Sequence, residues 1–383
     1  MTIGNIPGNE IKKIVNKAKE HVMYKDLYKH IKTDDFSKIP FLEEQHIRNA
    51  GFSLLKNENE CTCVYFTSGT TSEPKAIYYN ANEIKYIADY IKWFCEIEGI
   101  AGNQRVAVLM GQSFWGAGYF AAQGHIKAGN MVTPIDTGLS KRAIADLIGV
   151  FRPTVISSTP SFLLGLKDVL KNTRLKLIET TGEVLSRQTR NKLEKYFKVK
   201  VFDAYGLTEG IVGTECSCHD GYHFLPDRVY LEIIDSSTGE LLKDGDWGEL
   251  VMTVICDSVM PIIRYKTGDI CKISKGKCCC GQVSPKIWIK GRKEKTIFLY
   301  EGAKVGFKEL KAAILEVFGA SIEFQVNVET NKNMSILQIE ISDDDPEKIK
   351  SAETKITNIN YETIYLAQVG KLSIVFNNKK TLL

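Results

Sequence analysis

The sequence predicts an α/β protein. A large N-terminal domain of parallel-rich sheets flanked by helices carries a β-rich subdomain and is followed by a small α+β domain. Three observations predict this. Between about residues 61 and 206, short runs rich in β-branched residues alternate with segments of helical periodicity, as parallel strands covered on both faces require. From 222 to 289 the helical segments drop out, and strand-like runs follow one another across turn signals. From about 296 the two textures mix again. The expected domains are 1–290, including the β-rich subdomain at about 222–290, and 291–383, with the boundary near Gly291.

In chain order, residues 10 to 55 read as short helices, and Pro40 sets an extended entry to one of them. CTCVYFTS is a strand that runs into a Gly/Thr/Ser loop, and the later part of AIYYNANEIKYIADYIKWFCEIEGI is helical. Strands at RVAVLM, NMVTPI, TVISS, LKLIETTG and VKVFDAYG alternate with helices at GAGYFAAQGHIKAG, KRAIADLIGVF, PSFLLGLKDVL and RQTRNKLEKYF. VYLEIID, GELVMTVI, IIRYK and KIWIK are the strands of the β-rich part, separated by STGE and DGDWGE turns. The last segment reads helix at FKELKAAILEVFG, strands at FQVNVET and SILQIEIS, helix at EKIKSAETKITNI and a final strand LSIVF.

Composition narrows the function classes. With 44% hydrophobic and 25% charged residues over 383, the chain is neither disordered nor fibrous. Lys+Arg 50 against Asp+Glu 46 leaves a net charge of +4 without a clustered basic patch, which argues against a nucleic-acid partner. MTIGNIPGNEIKKIVNKAKEH lacks the apolar core and cleavage site of a signal peptide, and no run reaches the roughly 18 apolar residues of a membrane span. The expectation is a cytoplasmic protein without a membrane partner, its ten cysteines reduced. Close cysteine groups in such a chain point to metal. Two of them, Cys216/Cys218 with His219 and His223, and Cys278-Cys279-Cys280, are about 60 residues apart, a pattern ordinary for structural zinc.

The loop Thr67-Ser68-Gly69-Thr70-Thr71-Ser72-Glu73-Pro74-Lys75 concentrates hydroxyls, backbone amides and one lysine between strand and helix, as polyphosphate binding requires. It lacks the Walker spacing. Thr181-Gly182-Glu183, Asp203-Ala204-Tyr205-Gly206-Leu207-Thr208-Glu209, Arg264-Tyr265-Lys266-Thr267-Gly268-Asp269 and Gly291-Arg292-Lys293-Glu294 follow in that order. Together these five motifs resemble the core motifs of the adenylate-forming superfamily of acyl-CoA ligases, adenylation domains and luciferases. The chain looks most like its phenylacetate-CoA ligase family, through MYKDLYKH, KIPFLEEQHIR, VFRPTVISSTPSFLLGL and Cys278-Cys279-Cys280-Gly281. Ser72 stands where that family usually has Gly.

The resemblance implies roles. Thr67, Ser68, Gly69, Thr70, Thr71 and Lys75 would hold the β- and γ-phosphates of ATP; Gly182, Glu183, Asp203, Tyr205 and Gly206 would form the nucleotide pocket, with Tyr205 stacked on adenine. Thr208 would meet the α-phosphate, Glu209 would hold Mg2+, Asp269 would accept the ribose hydroxyls, and Arg292 would reach ribose or phosphate. The aromatics and small residues from Phe114 to Phe120 fall where the family lines its acid pocket, implying an aryl or small hydrophobic acid. A lysine from the C-terminal domain, mobile about a hinge at 291–295 where Glu294 replaces Asp, would bridge the acid and the α-phosphate. Lys379 fits by position, with Lys380 and Lys371 as alternatives. Zinc would be held by Cys216, His223, Cys278 and Cys280, with Cys218 as the rival of Cys216.

The implied activity is ATP-dependent conversion of a carboxylic acid to its acyl-adenylate, then transfer to a thiol, either coenzyme A or a carrier protein's phosphopantetheine. Two other readings stay open: an acyl-protein synthetase with a protein cysteine as acceptor, and a catalytically impaired nucleotide- or acid-binding module, to which Ser72 points. The partners envisaged are the small acid, an acyl carrier protein and a second copy of the chain.

Overall fold

The computed structural model describes residues 8–19, 21–25, 27–28, 36–50, 60–67, 75–100, 102–112, 115–170, 173–293, 296–300, 303–319, 322–331 and 334–378. Eleven strands form one continuous sheet. Half of it is parallel: Met131–Ile135, Arg105–Leu109, Val155–Ser158, Leu177–Thr180 and Lys200–Leu207 lie side by side in that order. All but the edge strand Met131–Ile135 are buried on both faces at their centres. Along Arg105–Leu109, Ala107 and Leu109 meet the helices Lys141–Phe151, Pro160–Leu170 and Arg187–Phe197, while Val106 and Val108 pack on the side of Ala81–Glu98 and Ala117–Lys127.

The other half is antiparallel, in the order Gly210–Glu215, Tyr222–His223, Lys286–Arg292, Tyr265–Ser274, Gly248–Val254 and Val229–Ile234. Only one face of such a sheet needs to be apolar, and Tyr265–Ser274 alternates buried with half-buried residues along its whole length. The β-rich part therefore begins at Gly210, earlier than the 222 read from the sequence. Strand Lys200–Leu207 turns back through Thr208 and Glu209, pairing Leu207 with Gly210, and so joins both halves into one sheet. The strands that flank the phosphate-type loop, Cys63–Thr67 and Lys75–Tyr79, lie outside this sheet and pair antiparallel with each other, with Thr67 opposite Lys75.

The N-terminal segments pin the antiparallel half. Tyr24 Oη donates to the Pro261 carbonyl at 2.8 Å, and the Leu42 amide donates to the Arg264 carbonyl at 3.0 Å. Arg264 is buried yet satisfied, since its guanidinium grips Glu232 through Nε at 3.0 Å and Nη2 at 2.9 Å.

After Arg292, strands Phe324–Asn331, Met334–Ile341 and Leu372–Asn378 form a sheet accompanied by helices Phe307–Phe318, Pro346–Thr357 and Tyr361–Gln368. The last helix was not expected. It is announced by a capping box in which Asn360 accepts from the Thr363 amide and the Thr363 hydroxyl accepts from the Asn360 amide. This region shares apolar contacts with the parallel half, including Phe162 against Tyr300 at 6.2 Å between ring centroids. Among the described residues no helix is long and apolar enough to cross a membrane.

Gly213 shows how tightly the antiparallel half is assembled. A Cβ there would lie 2.3 Å from the carbonyl oxygen of His223, which is backbone and has nowhere to go. Gly213→Ala should therefore lower unfolding free energy by about 1–3 kcal/mol. Denaturant titration checks this, and unchanged stability would mean the two strands are looser than described.

Candidate active site

Lys75 opens its strand at the end of the phosphate-type loop, and Glu209 lies in the turn of the central strand. Both are buried, and the Lys75 ammonium donates to the Glu209 carboxylate. Burial alone would raise Glu209, but the ammonium outweighs it and holds the carboxyl at about 2. Lys75 also donates to Tyr265 Oη at 3.0 Å and stands over that ring. Tyr265 belongs to the Arg264–Asp269 motif but carried no role in the sequence reading. Its alternation in a strand facing Glu209 was the available signal. The neighbouring Thr208 is held through its backbone carbonyl, which accepts from Tyr79 Oη.

Thr67, opposite Lys75, has a buried hydroxyl without a hydrogen-bond partner among the described residues. A donor left unpaired at the lip of such a loop suits an incoming anionic oxygen. Ser68, Gly69, Thr70, Thr71 and Ser72 lie outside the described residues, as do Phe114, the hinge residue Glu294, Lys379 and Lys380. Lys371, the described alternative, has its ammonium 5.1 Å from the Tyr300 ring centroid and lines a cleft with Thr137, Lys141 and Phe162.

A second constellation sits beside the first. Asp269 accepts from Tyr205 Oη at 2.5 Å and from Arg292 Nη1 at 3.2 Å, which joins three residues of separate motifs. The strand register explains it, because Asp269 pairs with Arg292 across two antiparallel strands. Gly268 precedes Asp269 with φ +76, a conformation that glycine adopts without strain. Gly182 likewise has φ +83 and faces Thr159, whose buried hydroxyl has no partner among the described residues. Glu183 is bonded to Ser161, accepting from its amide at 3.0 Å and its hydroxyl, and so holds the start of helix Pro160–Leu170. Gly206 lies at a register shift of the central strand, where a Cβ would meet the Ile211 Cα at 3.3 Å.

Asp203 is buried on the same strand, two residues before Tyr205. Its carboxyl accepts from Thr180 Oγ1 and Tyr222 Oη, each at 2.6 Å, yet burial prevails and pushes it up to about 7. Nearby, Tyr65, Tyr79, Tyr119 and Phe120 form an aromatic group, with Tyr65 at 5.8 Å from Tyr119 and 5.4 Å from Phe120, and Tyr79 at 4.9 Å from Phe120.

The thiol cluster lies at the far end of strand Gly210–Glu215. Cys216, His223, Cys278 and Cys280 bring their donor atoms within 4.8 Å of one another. Cys216 Sγ is 3.7 Å from Cys278 Sγ, and Cys280 Sγ is 3.6 Å from His223 Nε2. His223 Nδ1 lies 2.9 Å from Ser284 Oγ and 3.3 Å from the Ser284 carbonyl; a proton on Nδ1 donated to the carbonyl leaves the Nε2 lone pair facing the thiols. Asp220 clamps the loop by accepting from Lys286 Nζ at 2.7 Å and Trp288 Nε1 at 2.9 Å. Three sulfurs and one imidazole nitrogen suit tetrahedral zinc. Cys218 is not in this group. Against the expectation that all ten cysteines are reduced, it pairs with Cys279 in a disulfide, because the two loops that carry the cluster bring their Cα atoms to 6.3 Å.

The AMP-binding enzyme family matches residues 8–260. The chain belongs to that family. Within it the chain is phenylacetate-CoA ligase-like, an AMP-forming acid–thiol ligase. It is 27% identical over 321 residues to the phenylacetate-coenzyme A ligase of Pseudomonas putida, covering 80% of this chain and 72% of that enzyme. The Thermus thermophilus phenylacetate-coenzyme A ligase is 27% identical over 327 residues, covering 81% and 73%. Among solved structures, a 2-hydroxyisobutyryl-CoA ligase matches the fold with a TM-score of 0.80 at 18% identity, over 98% of this chain and 86% of that one.

Asp203 makes folding pH-dependent in a definite direction. Its carboxyl titrates at about 7 when folded against 3.8 ordinarily, so between these values the folded protein holds a proton that the unfolded chain has lost. That contribution is full below about 4 and declines as pH rises to about 7. Asp203→Asn should gain stability relative to the parent, by an amount on the order of a few kcal/mol, between about pH 5 and pH 8. Denaturant titrations at both pH values check the sign, and a constant difference would mean that Asp203 stays ionised throughout.

Proposed function

We propose that the chain activates a carboxylic acid with ATP and passes the acyl group to coenzyme A. The observation that carries the reading is the buried Lys75–Glu209 pair at the end of a hydroxyl-rich loop. Breaking such a pair ordinarily costs about 3–5 kcal/mol, unless each partner is offered a replacement. A nucleoside triphosphate with Mg2+ offers both: phosphate oxygens for Lys75 and the Thr67 hydroxyl, and a cation for Glu209. Bound there, Mg2+ would supply charge neutralisation on the phosphates. Ser68, Gly69, Thr70 and Thr71 are assigned to the same phosphates, and Thr208 to the α-phosphate.

Asp269, oriented by Tyr205 and Arg292, is the proposed ribose acceptor, and Gly182 with Thr159 and Glu183 the proposed adenine edge. In the first step an acid oxygen attacks the α-phosphorus; the new O–P bond replaces the bond to the bridging oxygen, and pyrophosphate leaves. In the second, the thiolate sulfur of coenzyme A attacks the acyl carbon, the C–S bond forms, and AMP departs with the acyl oxygen. The aromatic group of Tyr65, Tyr79, Tyr119 and Phe120 supports an aryl or small hydrophobic acid. Residues 291–383 are proposed to be the unit that moves between the steps, with Lys379 as the lysine that enters during adenylation. Cys216, His223, Cys278 and Cys280 are assigned a structural zinc.

The deciding assay is pyrophosphate release from ATP and Mg2+ with arylacetic, benzoic and short aliphatic acids, then thioester formation on adding coenzyme A. No release with any acid would sink the reading. Loss of a charge-assisted contact of roughly 1.5–3 kcal/mol predicts that Asp269→Ala lowers kcat/KM for ATP at least about tenfold while the far-ultraviolet circular dichroism is kept. Unchanged ATP kinetics would remove Asp269 from the nucleotide site. Cys280→Ser should lose the zinc of the thiol cluster and lower thermal stability, read by elemental analysis and calorimetry. Equal metal content in variant and parent would contradict this ligand assignment.

A further inference from the structure

Tyr265 stands between the two charges of the proposed nucleotide site. Its ring is buried at the start of strand Tyr265–Ser274, and its hydroxyl lies 3.0 Å from Lys75 Nζ. The same hydroxyl hydrogen-bonds to the Glu209 carboxylate. An ammonium has only protons to give, so the hydroxyl accepts from Lys75 and its own proton goes to Glu209. Lys75, Glu209 and Tyr265 thus form a closed set in which Tyr265 is the uncharged member.

The backbone around Tyr265 is held more firmly than the start of a strand requires. Arg264, the residue before it, has φ +48, a left-handed conformation that an arginine adopts only at a cost. Its side chain offsets that cost by gripping Glu232 and donating to the Ser37 carbonyl at 2.7 Å and the Ile39 carbonyl at 2.6 Å. On the other side of Tyr265, the Lys266 amide donates to the Leu42 carbonyl at 2.9 Å. Tyr265 itself pairs with Met252 in the next strand. Backbone strain kept in this way points to a residue whose direction matters, and what Arg264 directs is the side chain that follows it. Asp269, the proposed ribose acceptor, lies four residues further along the same strand.

We infer that Tyr265 is a positioning residue for the cation side of the nucleotide site, orienting the Glu209 carboxylate when Lys75 turns to phosphate. The inference rests on the proposed function, in which Lys75 exchanges Glu209 for phosphate oxygens and Glu209 takes up Mg2+. In that exchange Glu209 loses its ammonium donor, and a carboxylate released in the interior would be free to turn away. The Tyr265 proton keeps it in place. A carboxylate has about four lone-pair sites, so one hydroxyl leaves room for a cation. Mg2+ demands near-ideal octahedral geometry, which a carboxylate fixed beforehand meets more readily than a mobile one.

Calorimetric titration of the full chain with ATP plus Mg2+, and separately with AMP, tests this. AMP lacks the β- and γ-phosphates assigned to Lys75, so it reports on the Asp269 side of the same strand. Tyr265→Phe removes only the hydroxyl and should weaken binding of Mg2+–ATP about five- to tenfold, the loss expected of one hydrogen bond, while AMP affinity stays within about twofold. Equal weakening of both ligands would mean that the hydroxyl merely supports the strand, and unchanged Mg2+–ATP affinity would mean that it does nothing for Glu209; either result overturns the inference. A parent that binds AMP but not Mg2+–ATP sinks the Lys75–Glu209 reading itself. Should Tyr265→Phe fail to fold, a crystal structure of the parent with Mg2+ and a non-hydrolysable ATP analogue decides. Tyr265 Oη within hydrogen-bond distance of Glu209, with Lys75 on the phosphates, supports the role; Tyr265 Oη on a phosphate oxygen, or clear of Glu209, overturns it.

Discussion

Strand Lys200–Leu207 is the constraint on which the rest depends. It pairs parallel with Leu177–Thr180 on one edge and antiparallel with Gly210–Glu215 on the other. A strand in that position must satisfy two hydrogen-bond geometries at once, and its residues do so by reaching across both edges. Asp203 accepts from Thr180 on the parallel side and from Tyr222 on the antiparallel side. Tyr205 then faces Asp269, the turn presents Glu209 to Lys75, and the returning strand leads to Cys216. Nucleotide-type and thiol-type groups are thus anchored to one element, so disturbance of the seam is felt at both.

Three buried charge arrangements show how differently similar residues can be treated. Arg264 and Glu232 form a matched two-point contact, supplemented by the Ser37 and Ile39 carbonyls, and hold the N-terminal segment in place. Lys75 and Glu209 are also matched, and it is this pair that the proposed nucleotide and its cation would exchange. Glu98 and Glu179 are two carboxyls hydrogen-bonded in the interior, where burial and the Glu179 charge push Glu98 up towards the protonated form. A matched pair stabilises the fold, an exchangeable pair suits a binding site, and two buried carboxyls keep a proton between them.

The region after Arg292 does not stand free of the rest. Trp115 donates from Nε1 to Glu362 at 3.2 Å and packs edge-on against Tyr365, while Tyr300 meets Phe162. These contacts extend an apolar cluster shared by both parts and lie beside the cleft lined by Lys371. Side chains docked in this way can part without strand bonds being remade, unlike those of the seam.

The sequence by itself determined the α/β class, the order of the elements and the five motifs, because alternation of strand and helix periodicity and local turn chemistry depend only on near neighbours. It also singled out Cys216, His223, Cys278 and Cys280, through close spacing within two loops and a family resemblance. Helix Tyr361–Gln368 escaped because its eight residues are too few for clear periodicity, although the Asn360/Thr363 capping box was there to be read. Tertiary structure alone decided which motifs touch. The Lys75–Glu209–Tyr265 group joins residues up to 190 positions apart, and the hydrogen bonds that His125 makes with Cys95 and Glu179 join two helices and a strand. Cys218 and Cys279 were equally beyond a local reading, since only the docking of two loops sets them face to face. Such contacts are set by strand register and helix packing, which arise from the burial of the whole chain and leave no periodic mark along it.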